Sequence, residues 1–433
     1  MTALLVGIGV LILAMWVRHG GLDQLDSMAG ILTGIGQVTA LYGAYLALVQ
    51  LVLMSRAPWL EQVFGMDRLT AAHRWVGFAC LWLLIGHGVF TTTGYALGDR
   101  SSVVAEAWTL LTTYPYVLMA TAGFALFVAV AVTSVRAARR RLAYETWFGI
   151  HLYAYLAIAL AFLHQLAVGA DFVNDPLARG FWIALYAVTF GLLLVFRLGQ
   201  PVLRSLRHDL RIANVVEEAP GVVSIYVTGR DLERLPVASG QYFLWRFLTR
   251  DGWWKAHPFS LSAAPNGEFL RTTVKALGDR SAELQRIHVG TRVFIEGPYG
   301  IMTGSRRQTR GALLIAGGVG ITPLRALFED MPADGRDLAV IYRARTEREV
   351  IFRQELDTIA RLRGAAIHSR LGRRPRAGQP DPLGPAGIIA VVPDVALRDV
   401  YLCGPRSMME GARRALRRLS VPDAQIHWER FDY

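Results

Sequence analysis

The sequence predicts a membrane all-α six-helix bundle followed by two soluble domains, an antiparallel β-barrel and an α/β Rossmann-like domain. Three observations predict it. Of the 433 residues, 53% are hydrophobic, beyond what an ordinary soluble protein carries, and the excess lies before about residue 200. From about 205 to 305, apolar and polar residues alternate in short runs broken by Gly and Pro. After about 311 the period changes to strand, turn and helix. The expected boundaries are 1–200, 201–307 and 308–433.

Apolar runs fall at about 2–18, 30–54, 71–92, 116–135, 147–168 and 180–198. Each is near the ~20 residues that a helix needs to cross the hydrocarbon. The first has no basic residue ahead of its apolar core and no convincing small-residue cleavage site, so it reads as a membrane helix, with a signal peptide as the competing view. A net charge of +12 could suggest nucleic acid, but Arg136, Arg139, Arg140 and Arg141 flank a hydrophobic run, which is where basic residues orient a membrane segment. Connections around Arg56 and Arg68, at "RAARRR" and after Arg197 are basic; the others hold Asp23, Asp26, Asp99, Glu106, Asp171 and Asp175. That alternation places both termini, and everything after about 200, in the cytoplasm, with the chain multi-pass in a plasma (bacterial inner) membrane. Cys80 and Cys403 do not form a disulfide framework.

The third run carries His73 and His87, fourteen positions apart, and the fifth carries His151 and His164, thirteen apart. At 1.5 Å per residue each pair is separated by about 20 Å along its helix, giving each helix one imidazole near each side of the membrane. A lone intramembrane histidine is more often a packing residue or a proton relay. Four at matched depths suit bis-imidazole ligation of two stacked b-type haems. Fourteen residues fall about 40° short of four turns but thirteen about 140° short, so the fifth helix requires a bend or the haem planes a relative rotation. Gly77 would let a flat macrocycle approach the backbone, and Arg68 or Arg74 could pair with propionates or simply obey the orientation rule.

Strands are expected in "GVVSIYVTG", "GQYFLWRFL", "FLRTTVKAL" and "TRVFIEGPYG", with "HPFSLS" in their midst. "ALLIAGGVGITPLRALFEDM" reads as a buried strand, a glycine-rich turn at Gly317, Gly318 and Gly320, and a helix with Thr322 as N-cap and Pro323 in its first turn. Amides at such a helix start favour a pyrophosphate. "LAVIYRAR", "AAIHSRL" and "DVYLCGP" supply further strands of a doubly wound sheet.

In order, "HPFSLS", "VKALGDRS", "GPYG", "GGVGITP", "YLCGP" and a C-terminal aromatic resemble the ferredoxin–NADP reductase superfamily. The histidines, with "HRWVG" and "YETWFGIH", resemble the ferric-reductase transmembrane domain, and together these motifs resemble the NADPH oxidase and ferric reductase family over nearly the whole chain. The resemblance implies that His257, Pro258, Phe259, Ser260, Leu261 and Ser262 hold the flavin of FAD, with Ser260 near its reactive edge. It also implies that Val274, Lys275, Gly278, Arg280 and Ser281 serve the FAD pyrophosphate, and that the glycine loop to Pro323 takes the nucleotide pyrophosphate. Cys403, Gly404 and Pro405 match the motif beside the nicotinamide, with Cys403 as a positioning residue, since hydride transfer needs no covalent intermediate. Ser369 and Arg370 match the pair that grips a 2′-phosphate, and Arg343, Arg373 and Arg374 lie nearby in sequence, which favours NADPH over NADH. Phe431, preferred over Tyr433, is the aromatic expected to stack on the flavin.

The resemblance implies an NAD(P)H oxidase or ferric reductase-type enzyme. A hydride from NADPH reaches FAD, and single electrons then pass an inner haem between His73 and His151 and an outer haem between His87 and His164. Ala157 stands midway on the fifth helix where oxidases tend to carry a ring, with Tyr153, Tyr155 or Trp82 as substitutes. The acceptor is dioxygen, giving superoxide; the short, neutral to acidic outer connections favour a small acceptor, while the lack of an outer-leaflet arginine in the second run weakens that reading. A ferric chelate or a periplasmic acceptor protein stays as an alternative, and a proton-coupled transporter with a nucleotide-sensing domain as a distant one.

Overall fold

The structure is a computed structural model and describes residues 2–173, 175–333, 335–372 and 381–429. It forms two compact units: residues 1–57 with 68–197, and residues 58–67 with 198–433.

The first unit is helical. It contains α1 (Thr2–Arg18) and α2 (Met28–Leu53), most of α4 (Met66–Gly98), then α5 (Val103–Thr113), α6 (Val117–Ser134), α7 (Tyr144–Val168) and α8 (Pro176–Leu192); α3 (Pro58–Phe64) belongs to the second unit. Among the described residues, five apolar helices are long enough to span a membrane: α2, α4, α6, α7, and α8 with its continuation to His208. The first of the six expected runs forms a helix of 17 residues, shorter than these five.

The caps explain several starts. Ser27 accepts from the Gly30 amide ahead of α2, and Asp175 accepts from the Leu177 and Ala178 amides with Pro176 in the first turn of α8. α4 runs 33 residues, longer at both ends than the apolar run at 71–92. α8 passes through a π-helical stretch, Leu193–Gly199, into α9 (Gln200–His208). On α2, glycines allow close helix approach: a Cβ at Gly36 would lie 2.8 Å from the Thr91 nitrogen of α4.

The second unit begins with β1 (Arg211–Ala219), β2 (Val222–Thr228), β3 (Tyr242–Phe247), β4 (His257–Ser260), β5 (Leu270–Lys275) and β6 (Val293–Tyr299). They form two three-stranded antiparallel sheets, β1-β2-β5 and β4-β3-β6, around a core that includes Ile225, Phe243, Trp245, Leu261 and Ile295. The expected single barrel is not one continuous ladder. Among the described residues, single bridges at Leu261–Thr272 and Arg211–Arg292 join the sheets. β4 has only four residues, and Pro258 offers no N–H on its second edge.

The remainder is a five-stranded parallel sheet of β7 (Gly311–Gly317), β8 (Leu338–Ala344), β9 (Ala366–Leu371), β10 (Arg398–Cys403) and β11 (Ile426–Trp428), in the order β11-β10-β7-β8-β9. β7 is buried at every position, as a central strand covered on both faces must be. One face packs with α11 (Ile321–Asp330) and α12 (Arg353–Arg363), following a short α10 (Asp279–Glu283) earlier in the chain; the other packs with α13 (Arg406–Arg418). The chain proceeds outward from β7 through β8 and β9, then returns to β7's other side with β10.

Candidate functional site

In the helical unit, α4 and α7 bring the four histidines together in two pairs. His73 and His151 have ring centroids 5.9 Å apart, and His87 and His164 are 6.4 Å apart. An imidazole nitrogen sits about 2 Å from a bound metal and roughly 1 Å from its own ring centre, so two rings sharing one metal axially are about 6 Å apart. Both separations fit that requirement. Neutral imidazole pairs are also the donor set that a b-type haem takes.

α7 runs unbroken from Tyr144 to Val168, and the interplanar angle is 64° at one level and 26° at the other. The two histidine pairs thus form on an unbroken helix, with different ring orientations at the two levels. Two expectations around the histidines change. Space beside Gly77 is taken by α2, since a Cβ there would lie 3.0 Å from Gln50 Oε1. Ala157 is buried, with its carbonyl against Gly123 of α6, so it faces a neighbouring helix. Arg68 and Arg74 are both exposed.

In the parallel sheet, strand order reverses between β7 and β10, and ligands of such sheets bind beyond the strand C-termini at that crevice. The glycine loop and the Cys403–Pro405 segment meet there. A Cβ at Gly320 would lie 2.4 Å from the Cys403 carbonyl oxygen, and one at Gly317 would lie 2.4 Å from Met408 Sδ. Gly318 has φ +56° with open space around it, so the backbone can approach a ligand closely.

The N-cap of α11 is Gly320, not Thr322. A 3₁₀ turn over Gly318–Gly320 runs straight into the helix, and the Thr322 hydroxyl donates to the Val319 carbonyl at 2.9 Å instead of accepting from an amide. Pro323 does lie in the first turn. Cys403 is fully buried, and burial, followed by the nearby Glu429 carboxylate, pushes its thiol up. A thiol held in that way is no nucleophile. Pro405 caps α13.

At the edge of β8 and β9, Arg343 pairs in register with Arg370 and Tyr342 with Ser369, so two arginines stand side by side on adjacent strands. Arg343 also meets Asp381 at 3.4 Å. Arg373, Arg374, Phe431 and Tyr433 lie outside the described residues.

On β4, Pro258 and Phe259 are partly exposed while His257 and Ser260 are buried. The His257 and Phe259 rings lie nearly parallel, 5.8 Å apart. Leu261 and Ser262 are fully buried: Ser262 Oγ accepts from the Thr273 hydroxyl at 2.7 Å, and its carbonyl accepts from Arg271. Both residues are tied into the sheet by this packing and hydrogen bonding. Val274 is likewise buried, with Lys275 partly exposed after it. Ser281 accepts from the Leu277 and Gly278 amides, closing this turn with its own hydroxyl. The Arg280 side chain lies outside the described residues.

The chain matches the family described as ferric reductase like transmembrane component over residues 39–162, an FAD-binding domain over 210–303 and an oxidoreductase NAD-binding domain over 314–414. This is the architecture of the NADPH oxidases and ferric reductases. The chain thus joins a helical membrane-type region to an FAD-binding domain and an oxidoreductase-type NAD-binding domain.

Among curated relatives, it is 31% identical over 238 residues to the ferredoxin reductase component of 3-ketosteroid-9-alpha-monooxygenase from Mycolicibacterium smegmatis, covering 52% of this chain and 65% of that one. It is 29% identical over 240 residues to a flavohemoprotein of Bordetella pertussis, covering 51% and 60%. The chain thus spans less than two thirds of these relatives' length. A solved structure, the FAD/NAD-binding domain of nitric oxide dioxygenase from Vibrio cholerae O1 biovar El Tor, aligns with a TM-score of 0.41 at 23% identity, over 52% of this chain and 98% of that one.

Two features of the second unit were not legible in the sequence. Glu429, at the end of the described chain, accepts from the Ile301 and Met302 amides at 2.6 and 3.2 Å and is buried. Burial pushes its carboxyl up to about 7, against those two hydrogen bonds, and Asp67 adds to the rise. Arg271, 3% exposed, makes a two-pronged pair with Glu355 at 2.8 and 2.9 Å and ties β5 to α12. Burial would raise the Glu355 carboxyl, but Arg271 and then Arg325 outweigh it and hold it below its ordinary value. A charged residue inside an alternating strand gives no signal of such a partner.

Proposed function

We propose that this chain carries electrons from cytoplasmic NADPH through FAD and two b-type haems to an acceptor on the opposite face of a bacterial inner membrane, with both termini cytoplasmic. The observation that carries the reading is the pair of histidine levels, 5.9 and 6.4 Å between ring centroids, on two helices of a chain that also bears FAD- and NAD-binding domains. His73 with His151, and His87 with His164, would hold the haems; Pro258 and Phe259, the partly exposed residues of β4, would flank the flavin, and the Gly317–Gly320 loop would take the nucleotide pyrophosphate.

When bound, FAD would convert a two-electron hydride into single electrons, and the haems would carry them one at a time. The residues of the chain provide position. Gly318, with open space beside it, lets backbone amides reach the pyrophosphate, Gly317 and Gly320 let the loop pack against the Cys403–Met408 segment, and Arg343 beside Arg370 suits a 2′-phosphate dianion, which favours NADPH. The buried Cys403 closes the floor of the crevice and exchanges no proton. The neutral-to-acidic outer connections favour dioxygen as acceptor, with superoxide as product; these connections also admit a chelated ferric ion.

The test supplies NADPH to the purified full-length protein with oxygen or a ferric chelate, with and without superoxide dismutase. Cytochrome c reduction that the dismutase suppresses supports dioxygen. Chelate reduction that the dismutase leaves unchanged contradicts it in favour of ferric reduction.

A further inference from the structure

The four histidines do not have equal surroundings. His87 Nδ1 lies 3.1 Å from the Gly36 carbonyl oxygen and 3.2 Å from Thr91 Oγ1. His151 Nδ1 lies 3.4 Å from Ser134 Oγ, which also accepts from Trp147 Nε1 at 3.2 Å. The buried Nδ1 atoms of His73 and His164 make no hydrogen bond among the described residues.

A carbonyl oxygen only accepts. His87 Nδ1 is therefore the protonated nitrogen, and in a neutral ring Nε2 is the one with a free lone pair, which a metal takes. Gly36 makes this arrangement possible, since a Cβ there would lie 2.3 Å from Thr91 Oγ1. The sequence holds glycine at the one point where α2 must bring both its carbonyl and Thr91 against the same imidazole.

We propose that Thr91 and the Gly36 carbonyl are the orienting shell of His87: they fix its tautomer and, by drawing on the Nδ1 proton, make it the more basic ligand of the His87–His164 site. This rests on the haem reading above. A more basic imidazole stabilises the oxidised metal, so this shell lowers the potential of that one site and makes it a stronger reductant toward the final acceptor. Thr91 is a positioning residue, acting through His87.

The experiment compares Thr91→Val, which keeps the shape and loses the hydroxyl, with Thr91→Ser, which keeps the hydroxyl, in the full-length protein in detergent. Haem content, an optical redox titration and haem loss to excess apo-globin are read. Thr91→Val is expected to raise one midpoint potential and leave the other in place, with haem lost about tenfold faster from that site, as second-shell losses typically weaken metal sites. Thr91→Ser is expected to match the unmodified chain. If Thr91→Val does not accumulate, Thr91→Ala makes the same comparison. Two retained haems with both potentials unmoved, or equal loss at both sites, overturns the proposal; an unmodified chain without haem overturns the reading beneath it instead.

Discussion

Glu429 shows what a single side chain contributes here. Its carboxyl, usually near 4.5, sits at about 7 because burial penalises the charge more than the Ile301 and Met302 amides relieve it. Ionising it in the folded protein costs about 3 kcal/mol. The folded value lies above the unfolded one, so the contribution to stability is full below about pH 4.5 and is lost as the pH rises through 7. Glu429→Gln is expected to remove that dependence: the stability difference between variant and unmodified protein should grow from pH 4.5 to 7.5 in favour of the variant. Thermal unfolding across that range checks it, and parallel curves would contradict it. Nothing in "WERFDY" announces this residue. Its burial arises from tertiary closure between the turn at Gly300–Met302 and the last strand, a contact spanning more than a hundred positions, and local pattern carries no record of that.

At the scale of elements, strands and spans were legible where periodicity is long. Four of the five parallel strands, β7 to β10, fall where apolar runs and glycine turns place them, whereas the three-residue β11 is too short to show a pattern, and α2, α6 and α7 follow their hydropathy. What composition did not reveal is how elements begin and join. Thr322 looks like an N-cap from sequence, yet the preceding 3₁₀ turn hands that position to Gly320. A closed barrel looks natural for six alternating strands, yet the proline in the short β4 limits its pairing with β5 to one bridge.

At the mouth of the parallel sheet, Gly320 lies tight against Cys403 and Gly404. Adding one methyl there puts carbon 2.4 Å from a carbonyl oxygen and 2.7 Å from an amide nitrogen, and neither backbone atom can yield cheaply. Gly320→Ala is expected to force the β7 and β10 loops apart, raising KM for NADPH at least about tenfold, the equivalent of ~1.4 kcal/mol, while flavin content stays normal. Steady-state kinetics with a soluble acceptor measures this. An unchanged KM would place the nucleotide elsewhere.

Across the whole molecule, the order of motifs proved more informative than any one of them. A glycine-rich turn is common and a lone membrane histidine is more often a packing or relay residue; two matched histidine pairs ahead of FAD- and NAD-binding domains are more specific, and each half gives the other its meaning. The acceptor was not legible because it would meet only short connections with no distinctive chemistry. If electrons cross in the proposed sequence, His87→Ala should abolish NADPH-driven reduction of the outer acceptor while leaving the rate of flavin reduction, read by stopped-flow absorbance, within about twofold. Joint loss of both would contradict the order. The most direct measurement of the central claim is the haem content of the purified full-length chain by pyridine haemochrome. Two b-type haems per chain is the predicted result, and a chain that holds flavin but no haem would contradict it.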